Sequence, residues 1–290
     1  MISIWVIINP ISGGRKKSAI VNKIKESLPK NKFQCSFYYT EFKGHGEQIG
    51  KEAASMKIDI VTVVGGDGSV HEVGKSLIHT NTALAIIPSG SGNGFANHFN
   101  IPKKLNAAIA KIEQNKCITI DTGLVNNKAF LATLGFGFDA KVANKFAASK
   151  KRGLLNYIKI VVTQIRSFQP FDAIIFHKNT KQIHDKLFLL NIANTSEFGN
   201  GFNIASMANA QDEKLDVIII KKLNLLKTVF LVWRSIRKKV YPSSNIKSFN
   251  FSSISIETNV SGFQLDGEYY PTRDKEFKIE VVPKSLKLIC

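Results

Sequence analysis

The sequence has few cysteines and no long hydrophobic run, and each shortage excludes a class of protein. Its three cysteines are odd in number and widely scattered along 290 residues: Cys35, Cys117 and Cys290. They form neither a disulfide framework nor a C-x-x-C metal pair, so a reducing compartment is expected. No segment offers the roughly 20 apolar residues that span a bilayer. The opening "MISIWVIINP" lacks a basic region and predicts a first strand rather than a signal peptide, so we expect a cytoplasmic globular protein.

Acidic residues are also scarce. Asp and Glu number 22 against 40 Lys and Arg, which gives a formal net charge of +18. A field of this sign favours nucleic acid, an anionic membrane face or phosphorylated ligands, and charge alone does not choose among them. The sequence has no RRM, helix-turn-helix or zinc-finger signature, so nucleic acid is not predicted as a partner.

Several catalytic and nucleotide-binding motifs are missing. "SGGRKKS", residues 12–18, does not fit the P-loop spacing, and Gly90, Gly92 and Gly94 run G-x-G-x-G rather than G-x-G-x-x-G. A P-loop enzyme or a standard dinucleotide fold is therefore disfavoured. No Ser/His/Asp or Cys/His arrangement indicates a hydrolase.

Strand and helix patterns alternate over the first part of the chain. Short apolar strands such as "SIWVIINP", "IDIVTVV" and "ALAIIP" are separated by segments with helical spacing at residues 16–28, 46–57 and 103–113. This order predicts an N-terminal three-layer α/β domain with a mostly parallel sheet over residues 1–116.

After residue 117 the pattern changes to short strands between polar turns. "AFLATLGFGF", "KLFLLNIANT", "LDVIII" and "FKIEVV" are examples, interrupted by two basic helical stretches at residues 141–167 and 224–240. Residues 117–290 are therefore predicted to form a C-terminal β-sandwich, with the last strand free to return to the first domain. The sequence has no internal repeat and no low-complexity linker, so we expect the two domains to pack closely with a cleft between them.

Two glycine-rich loops follow apolar strands. Gly65-Gly66-Asp67-Gly68 comes after "IVTVV", and "PSGSGNG", residues 88–94, comes after "ALAII". Ligands of open α/β sheets bind where strands end, and backbone N–H groups in such turns can point at a phosphate. Ser69 with Glu72 forms an S-x-x-E pattern, which predicts a capping box at the start of the next helix. An ordinary strand-to-helix turn is the alternative for either loop alone.

Four motifs in order carry a resemblance to the diacylglycerol kinase catalytic family. They are "NP-x-SGG" at residues 9–14, "VVGGDGSVHEV", "IPSGSGNGFA" and the late "LDGE" from Leu265 to Glu268. The family includes soluble bacterial lipid kinases, diacylglycerol kinases, and sphingosine and ceramide kinases. GGDG alone is less specific, because NAD kinases and phosphofructokinases carry a similar loop.

The resemblance implies an ATP- and Mg²⁺-dependent lipid kinase in phospholipid metabolism. Such a kinase would hold ATP between the two domains and would transfer its γ-phosphate to a hydroxyl of diacylglycerol or of a related lipid such as a sphingoid base. The expected nucleotide contacts are Asn9, Ser12, Gly13, Thr40, Gly65, Gly66, Asp67, Gly68, Ser69, Glu72, Ser91 and Asn93.

This chain departs from the family pattern at several positions. Ser69 and Ser91 stand where many members have threonine, which keeps the hydroxyl. His71 replaces a common asparagine, and Gly94 replaces an aspartate frequent in bacterial diacylglycerol kinases. "GSGNG" is more similar to the sphingosine and ceramide kinases, so the lipid acceptor stays open.

Three acidic residues are candidates for catalysis: Asp67, Asp266 and Glu268. In an extended segment Asp266 and Glu268 would project from the same face and form a paired-carboxylate site. The alternative is that "QLDGEYY" simply turns, because Asp-Gly is a strong hairpin signal. The resemblance points to Asp266 or Glu268 as the base without separating them.

The segment "ANAQDEKLDVIII" is a candidate metal loop. The resemblance implies a structural Mg²⁺ held by the Asp212 carboxylate and the Lys214 carbonyl. Gln211 and Glu213 depart from the family's D-D-G pattern there, and solvated loop acids are the alternative.

The two basic helical stretches bear on the acceptor. They contain the basic residues Lys150, Lys151, Arg152, Arg234, Arg237, Lys238 and Lys239, and the second also contains Trp233. Such helices suit peripheral adsorption to the anionic inner membrane face, and core packing with a solvated outer face is the alternative. A homodimer is a further expected assembly. Two rival functions remain: a soluble kinase of NAD-kinase type, and a nucleotide-binding regulatory module without catalysis.

Overall fold

The computed structural model describes residues 1–14, 16–149, 153–197, 203–221 and 245–290. They form two compact units, one of Met1–Ile120 with Lys284–Cys290 and one of Asp121–Pro283. The sequence pattern changes near residue 117, and the units divide at residues 120 and 121. The C-terminal strand begins in the second unit and ends in the first.

The first unit alternates strands and helices, as the apolar spacing predicts. Its strands are β1 (Ile2–Ile8), β2 (Phe33–Tyr39), β3 (Ile60–Gly65) and β4 (Ala83–Pro88). Its helices are α1 (Lys17–Ser27), α2 (His45–Ser55), α3 (Asp67–Ser76), α4 (Gly94–His98) and α5 (Leu105–Gln114). The next strand, β5 (Cys117–Val125), starts in this unit and continues into the second.

The sheet of the first unit is parallel, in the order β4–β3–β1–β2, and the end of the last strand adds in parallel beside β4 at Leu288. Every residue of β3 and β4 is buried, as in strands covered on both faces. Alternate residues Ile4, Val6 and Ile8 of β1 pack in one cluster with α1 and α5. Helix α2 contacts β1 and α3. The predicted three-layer α/β arrangement is confirmed.

The second unit is mostly antiparallel. Its strands up to the gap at 222–244 are β6 (Lys128–Phe130), β7 (Thr133–Gly137), β8 (Phe171–His177), β9 (Thr180–Ala193) and β10 (Leu215–Lys221). After the gap come β11 (Ile246–Phe251), β12 (Ser253–Thr258), β13 (Gly262–Leu265), β14 (Glu268–Pro271) and β15 (Glu276–Ile289). Pairing runs β14–β13–β7–β9–β8–β12–β15, and β10 pairs with β9 and β11.

Apolar residues from these strands form one core. Phe136, Phe263 and Phe277 lie at its centre, with the Phe136 and Phe277 rings 4.9 Å apart in an edge-to-face arrangement. Truncating a phenylalanine in such a site to alanine costs about 3–5 kcal/mol. The β-rich second half predicted from the strand spacing is confirmed.

Two helices, α6 (Phe138–Ala147) and α7 (Leu154–Ser167), account for the first basic helical stretch. They pack on a second cluster in which the Phe138 and Phe188 rings stack 4.4 Å apart. The other predicted stretch, residues 224–240 with Trp233, lies outside the described residues. Among the helices that the structure describes, none is both long and apolar enough to cross a bilayer.

Candidate active site

The loop after β1 is tied to the loops after β3 and β4. The Asn9 side-chain amide donates to Ser69 Oγ at 3.0 Å, and Asn9 N–H donates to the Val64 carbonyl at 3.1 Å. The Ser12 and Ser89 hydroxyls lie 2.8 Å apart, and Lys17 Nζ donates to the Ser12 carbonyl. Parallel strands bring these loops to one edge of the sheet, as predicted from their positions in the sequence.

Glycines allow the three loops to meet through their backbones. Gly13 has φ of +62°, and a Cβ there would lie 2.0 Å from the Ser89 carbonyl oxygen. A Cβ on Gly90 would lie 2.5 Å from Cα of Gly66. No side-chain rotation relieves a clash with backbone, so these positions require glycine. The glycine pattern therefore reflects close packing between loops as well as access for a ligand.

Asp67 begins α3 and faces the start of α4. Its Oδ1 accepts the Phe95 N–H at 3.2 Å, so the carboxylate caps the helix that follows the other glycine loop. The Asn93 side chain, buried with a left-handed backbone, holds Gly90 through bonds of 3.0 and 2.8 Å. Asp67 and Asn93 thus fix the relative position of the two glycine loops.

The predicted capping box between Ser69 and Glu72 is wrong. Helix α3 starts earlier, at Asp67, with Gly66 at the N-cap and no side-chain cap. Ser69 therefore lies inside the first turn, and Glu72 Oε1 instead accepts Gly44 N–H at 3.0 Å, beside the start of α2.

The remaining predicted nucleotide contacts occupy the same unit. Thr40 follows β2 and donates its N–H to the Ile8 carbonyl at 2.9 Å, which places it next to the β1 loop. Ser91 is exposed in the β4 loop, whereas Gly65 is the buried last residue of β3. Ser89 and Lys17 were not predicted. Ser89 lies within the quoted "IPSGSG" motif, which was the available signal.

This edge of the first unit suits an anion. The first intrahelical bond of α3 runs from Val70 N–H to the Gly66 carbonyl at 3.0 Å. By helix geometry, the N–H groups before Val70 have no intrahelical partner and carry the positive end of the helix dipole. Lys17 adds a cation to the β1 loop.

Asp266 lies in the second unit, in the turn between β13 and β14. Its carboxylate accepts three consecutive backbone N–H groups, from Leu131 at 2.8 Å, Ala132 at 2.7 Å and Thr133 at 2.8 Å. The Asn194 amide donates to the Leu131 carbonyl at 2.7 Å and so supports this segment. The carboxylate is therefore held in one orientation.

The predicted extended geometry around Asp266 is wrong. Leu265 pairs with Glu268 across a two-residue turn in which Asp266 has φ of +50° and Gly267 +86°. Positive φ at both positions is typical of a tight hairpin turn, so the Asp-Gly pair forms the turn that was the alternative interpretation of the sequence. Asp266 points to residues 131–133, and Glu268 is half-buried at the start of β14.

A third carboxylate, Asp139, was missed by the sequence analysis. Its Oδ1 accepts Ala140 N–H at 2.8 Å, and Oδ2 accepts from the side-chain amides of Asn191 at 3.2 Å and Gln264 at 3.4 Å. Burial raises the pKa of Asp139 to about 7, although these hydrogen bonds act to lower it. The only sequence feature that could have indicated Asp139 is its position as a single acid directly after the apolar run "LATLGFGF".

The Asp212 loop is a sharp polar turn. Asp212 Oδ1 accepts Lys214 N–H at 3.1 Å, and Glu213 between them has φ of +60°. Burial, and then the nearby Asp212 charge, raise the pKa of Asp216 to about 6. Within the described ranges no group of three or more His, Cys, Asp or Glu side chains is arranged for a metal ion. The Asp212 metal site stays a prediction.

Family profiles match nearly the whole chain. Residues 3–125 match the diacylglycerol kinase catalytic domain, and residues 132–290 match the YegS C-terminal NAD kinase beta sandwich-like domain. The chain belongs to the diacylglycerol kinase catalytic-domain family. The predicted family and the two-domain α/β fold with a C-terminal β-sandwich are thereby confirmed, and the chain is a lipid-kinase-like protein.

Curated relatives of this family are similar along most of their length. "Putative lipid kinase YtlR" of Bacillus subtilis is 27% identical over 98% of each chain. "Diacylglycerol kinase" of the same organism is 26% identical over 91% of this chain and 89% of its own.

Solved structures share the fold. A diacylglycerol kinase from Bacillus anthracis superposes with a TM-score of 0.79 at 23% identity, covering 99% of this chain and 96% of its own. An NAD kinase from Archaeoglobus fulgidus in complex with ATP gives 0.54 at 12% identity, with 99% of this chain and 93% of its own covered. Both likenesses are at the level of fold alone.

Proposed function

We propose that this diacylglycerol kinase family member transfers the γ-phosphate of ATP to a hydroxyl of diacylglycerol or of a related lipid such as a sphingoid base. The observation that carries the proposal is the junction of the three loops in the first unit. Family membership supports kinase chemistry, and the junction offers a backbone-lined edge with the polarity that a triphosphate needs.

The nucleotide would be held by the loops after β1, β3 and β4. Backbone N–H groups of Gly66, Gly68 and Ser69 precede the first intrahelical bond of α3 and suit phosphate oxygens. The hydroxyls of Ser12 and Ser69 are already oriented by Asn9. Thr40, Glu72, Ser91 and Asn93 remain proposed contacts or supports of this site.

Asp67 is the proposed partner of the metal-bound phosphates. Mg²⁺ in phosphotransferases is usually held by one or two carboxylates together with phosphate oxygens and water. Asp67 supplies one such carboxylate beside the glycine loops, so the residues fit an ion whose other ligands come from ATP. When bound, Mg²⁺ neutralises charge that develops on the β- and γ-phosphates.

Asp266 is proposed to orient the acceptor hydroxyl and receive its proton. Phosphoryl transfer passes through a loose transition state, so orientation of the nucleophile matters more than strong basicity. The three N–H donors from residues 131–133 keep the carboxylate in one position before the substrate arrives. Glu268 at the other side of the turn is the alternative base.

Peripheral contact with the inner membrane face would deliver the lipid. The inner side of α7 packs on the cluster that contains Phe138 and Phe188, through Tyr157, Ile160, Val161 and Ile165. Its outer side exposes Leu155 by 85%, Ile158 by 40% and Val162 by 57%. Lys159 and Arg166 are exposed on the same helix, and the pattern of exposed apolar and basic residues suits an anionic bilayer.

A structural Mg²⁺ at the Asp212 loop is also proposed. A cation there would offset the like charge of Asp212 and Asp216, whose proximity contributes to the raised pKa of Asp216. Calorimetric titration with Mg²⁺ should then show a site that Asp212→Asn removes. Unchanged titration would remove the metal from the proposal.

One assay separates the lipid kinase from its rivals. Protein, ATP and Mg²⁺ are mixed in parallel with NAD and with anionic vesicles carrying diacylglycerol, sphingosine or ceramide. The proposal expects phosphate on a lipid and none on NAD. Phosphorylated NAD would favour the NAD-kinase-type rival. Stoichiometric ATP binding with no product would favour a regulatory module. The homodimer stays a prediction, and light scattering would test it by measuring the molar mass in solution.

A further inference from the structure

The Asp266–Gly267 turn is fixed at both of its residues. The Asp266 carboxylate is held by the N–H groups of residues 131–133. The N–H of Gly267 donates to Gln264 Oε1 at 2.8 Å. The side chain of Gln264 therefore acts on the residue that follows the proposed catalytic carboxylate.

The other end of the Gln264 amide reaches into the second unit. Gln264 is only 3% exposed, and its Nε2 lies 3.3 Å from Thr133 Oγ1 and 3.4 Å from Asp139 Oδ2. A flipped amide would place its NH₂ against the Gly267 N–H at any pH, and its oxygen against Asp139 Oδ2 wherever that carboxyl is ionised. These contacts would be lost in a buried site, so the partners select one orientation of the amide.

Asp139 is itself anchored from two elements. Ala140 N–H of α6 and the Asn191 amide of β9 donate to it at 2.8 and 3.2 Å. Asn191 is fully buried, and its Oδ1 has no hydrogen-bond partner in the part of the chain that the structure describes. A polar group left in this state costs about 1–3 kcal/mol, which the packing of the cluster must offset.

We propose that Gln264, oriented by Asp139, is a positioning residue that sets the Asp266 turn for phosphoryl transfer. The inference rests on the proposed function, because it assigns Asp266 the acceptor hydroxyl. Gln264 touches neither substrate in this scheme and acts through the Gly267 N–H. A displacement of about 1 Å at a reacting group can lower a rate by about 100-fold.

The test compares Gln264→Glu and Gln264→Leu with Asp266→Asn, and uses Gln34→Glu as a control for the same substitution at an exposed site. Gln264→Glu keeps the shape and the acceptor for Gly267, but places an oxygen against Asp139 Oδ2. We expect kcat to fall by about 10- to 100-fold in both Gln264 variants, with KM for ATP and for lipid within about twofold of wild type. Gln34→Glu should leave both parameters unchanged.

The double variant Gln264→Glu/Asp139→Asn reverses the polarity of the pair. The new amide at position 139 can donate to the new carboxylate, and Asn191 can turn its oxygen toward that amide. We expect the double variant to recover at least about tenfold in kcat over Gln264→Glu alone. Melting temperatures measured in parallel separate loss of folding from loss of positioning.

The outcomes distinguish this inference from the proposed function. Inactive Asp266→Asn beside fully active Gln264 variants would overturn the positioning role alone. Losses that appear in KM, or a double variant that recovers its melting temperature but not kcat, would overturn it as well. Full activity in Asp266→Asn would overturn the role of Asp266 and, with it, any role for Gln264 in setting its turn.

Discussion

Gly66 and Gly90 meet backbone to backbone: a Cβ on Gly90 would lie 2.5 Å from the Gly66 Cα and 3.0 Å from Asn93 Oδ1. Two loops whose glycines are 24 residues apart in the sequence thus pack directly against each other. The same contact positions the proposed phosphate donors of α3.

Gly90→Ala should therefore separate the loops after β3 and β4. We expect a loss of about 1–3 kcal/mol in unfolding free energy, as for other overpacked sites, and at least tenfold weaker ATP binding. Chemical denaturation and nucleotide titration measure the two effects. Gly14→Ala is the steric control, because its Cβ would meet nothing within 4 Å. An unchanged unfolding free energy in Gly90→Ala would contradict the close packing.

Asp67 has a structural and a proposed catalytic role that two substitutions separate. Asp67→Asn keeps an acceptor for Phe95 N–H, whereas Asp67→Ala removes it and should cost about 1 kcal/mol of stability. Both should lower kcat/KM by about 100-fold or more, since both remove the charge beside the phosphates. Thermal melts and steady-state rates test this. Normal turnover in Asp67→Asn would exclude a catalytic charge at this position.

Asp266→Ala is expected to destabilise the second unit as well as stop turnover. It leaves three N–H groups of residues 131–133 without their acceptor, at about 1–3 kcal/mol for each that stays buried and unpaired. Asp266→Asn keeps one acceptor oxygen and a side chain that tolerates positive φ, so it should fold better and still be inactive. The activity of Glu268→Gln, assayed beside it, identifies the base, because turnover should be abolished only by the substitution that removes the essential carboxylate.

Asp139 should make stability depend on pH. Its pKa is about 7 in the folded protein against an ordinary value of 3.8, so folding favours the neutral form. The stability that Asp139 contributes is fully present below about pH 4 and is lost as the pH rises toward about 7, by at most about 1.4 kcal/mol per pH unit. The unfolding free energy of the wild type should therefore fall relative to that of Asp139→Asn as the pH rises over this range. A difference independent of pH would contradict the buried neutral carboxyl.

Helix α7 should carry membrane contact on its outer side. Leu155→Glu and Val162→Glu each place a charge in the exposed apolar row and should lower binding to anionic vesicles by about tenfold. Thr163→Glu is the matched control, with the same added charge at an exposed polar position of the helix. Vesicle sedimentation reports all three. Equal loss in Thr163→Glu would indicate a purely electrostatic effect, and no loss in any would remove this face from the proposal.

The sequence was informative where one local rule determined the structure. The buried runs around Val63 and Ile86 predicted parallel strands, because continuous apolar residues are needed when both sheet faces are covered. The loops at Gly65 and Ser89 followed from strand ends in an open sheet. These inferences required only spacing and residue type.

Other features depended on contacts distant in the chain. The Ser69–Glu72 pattern matched a capping box, yet the Glu72 carboxylate accepts a hydrogen bond from the Gly44 N–H, 28 residues away in the sequence. The cluster of Asp139, Asn191 and Gln264 joins residues separated by more than 50 positions, and only Gln264 stands beside a quoted motif. Local patterns do not encode such partners, so the supporting contacts of the site emerged only from the fold.

Mass spectrometry of a mixed lipid extract, incubated with the protein, Mg²⁺ and γ-labelled ATP, tests the kinase assignment most directly. Asp67→Asn serves as the blank. The account predicts that one class of hydroxyl-bearing lipid gains a single phosphate, with an equal amount of ADP formed, in the wild-type reaction only. Lipids that gain no phosphate while the label stays on ATP would contradict it.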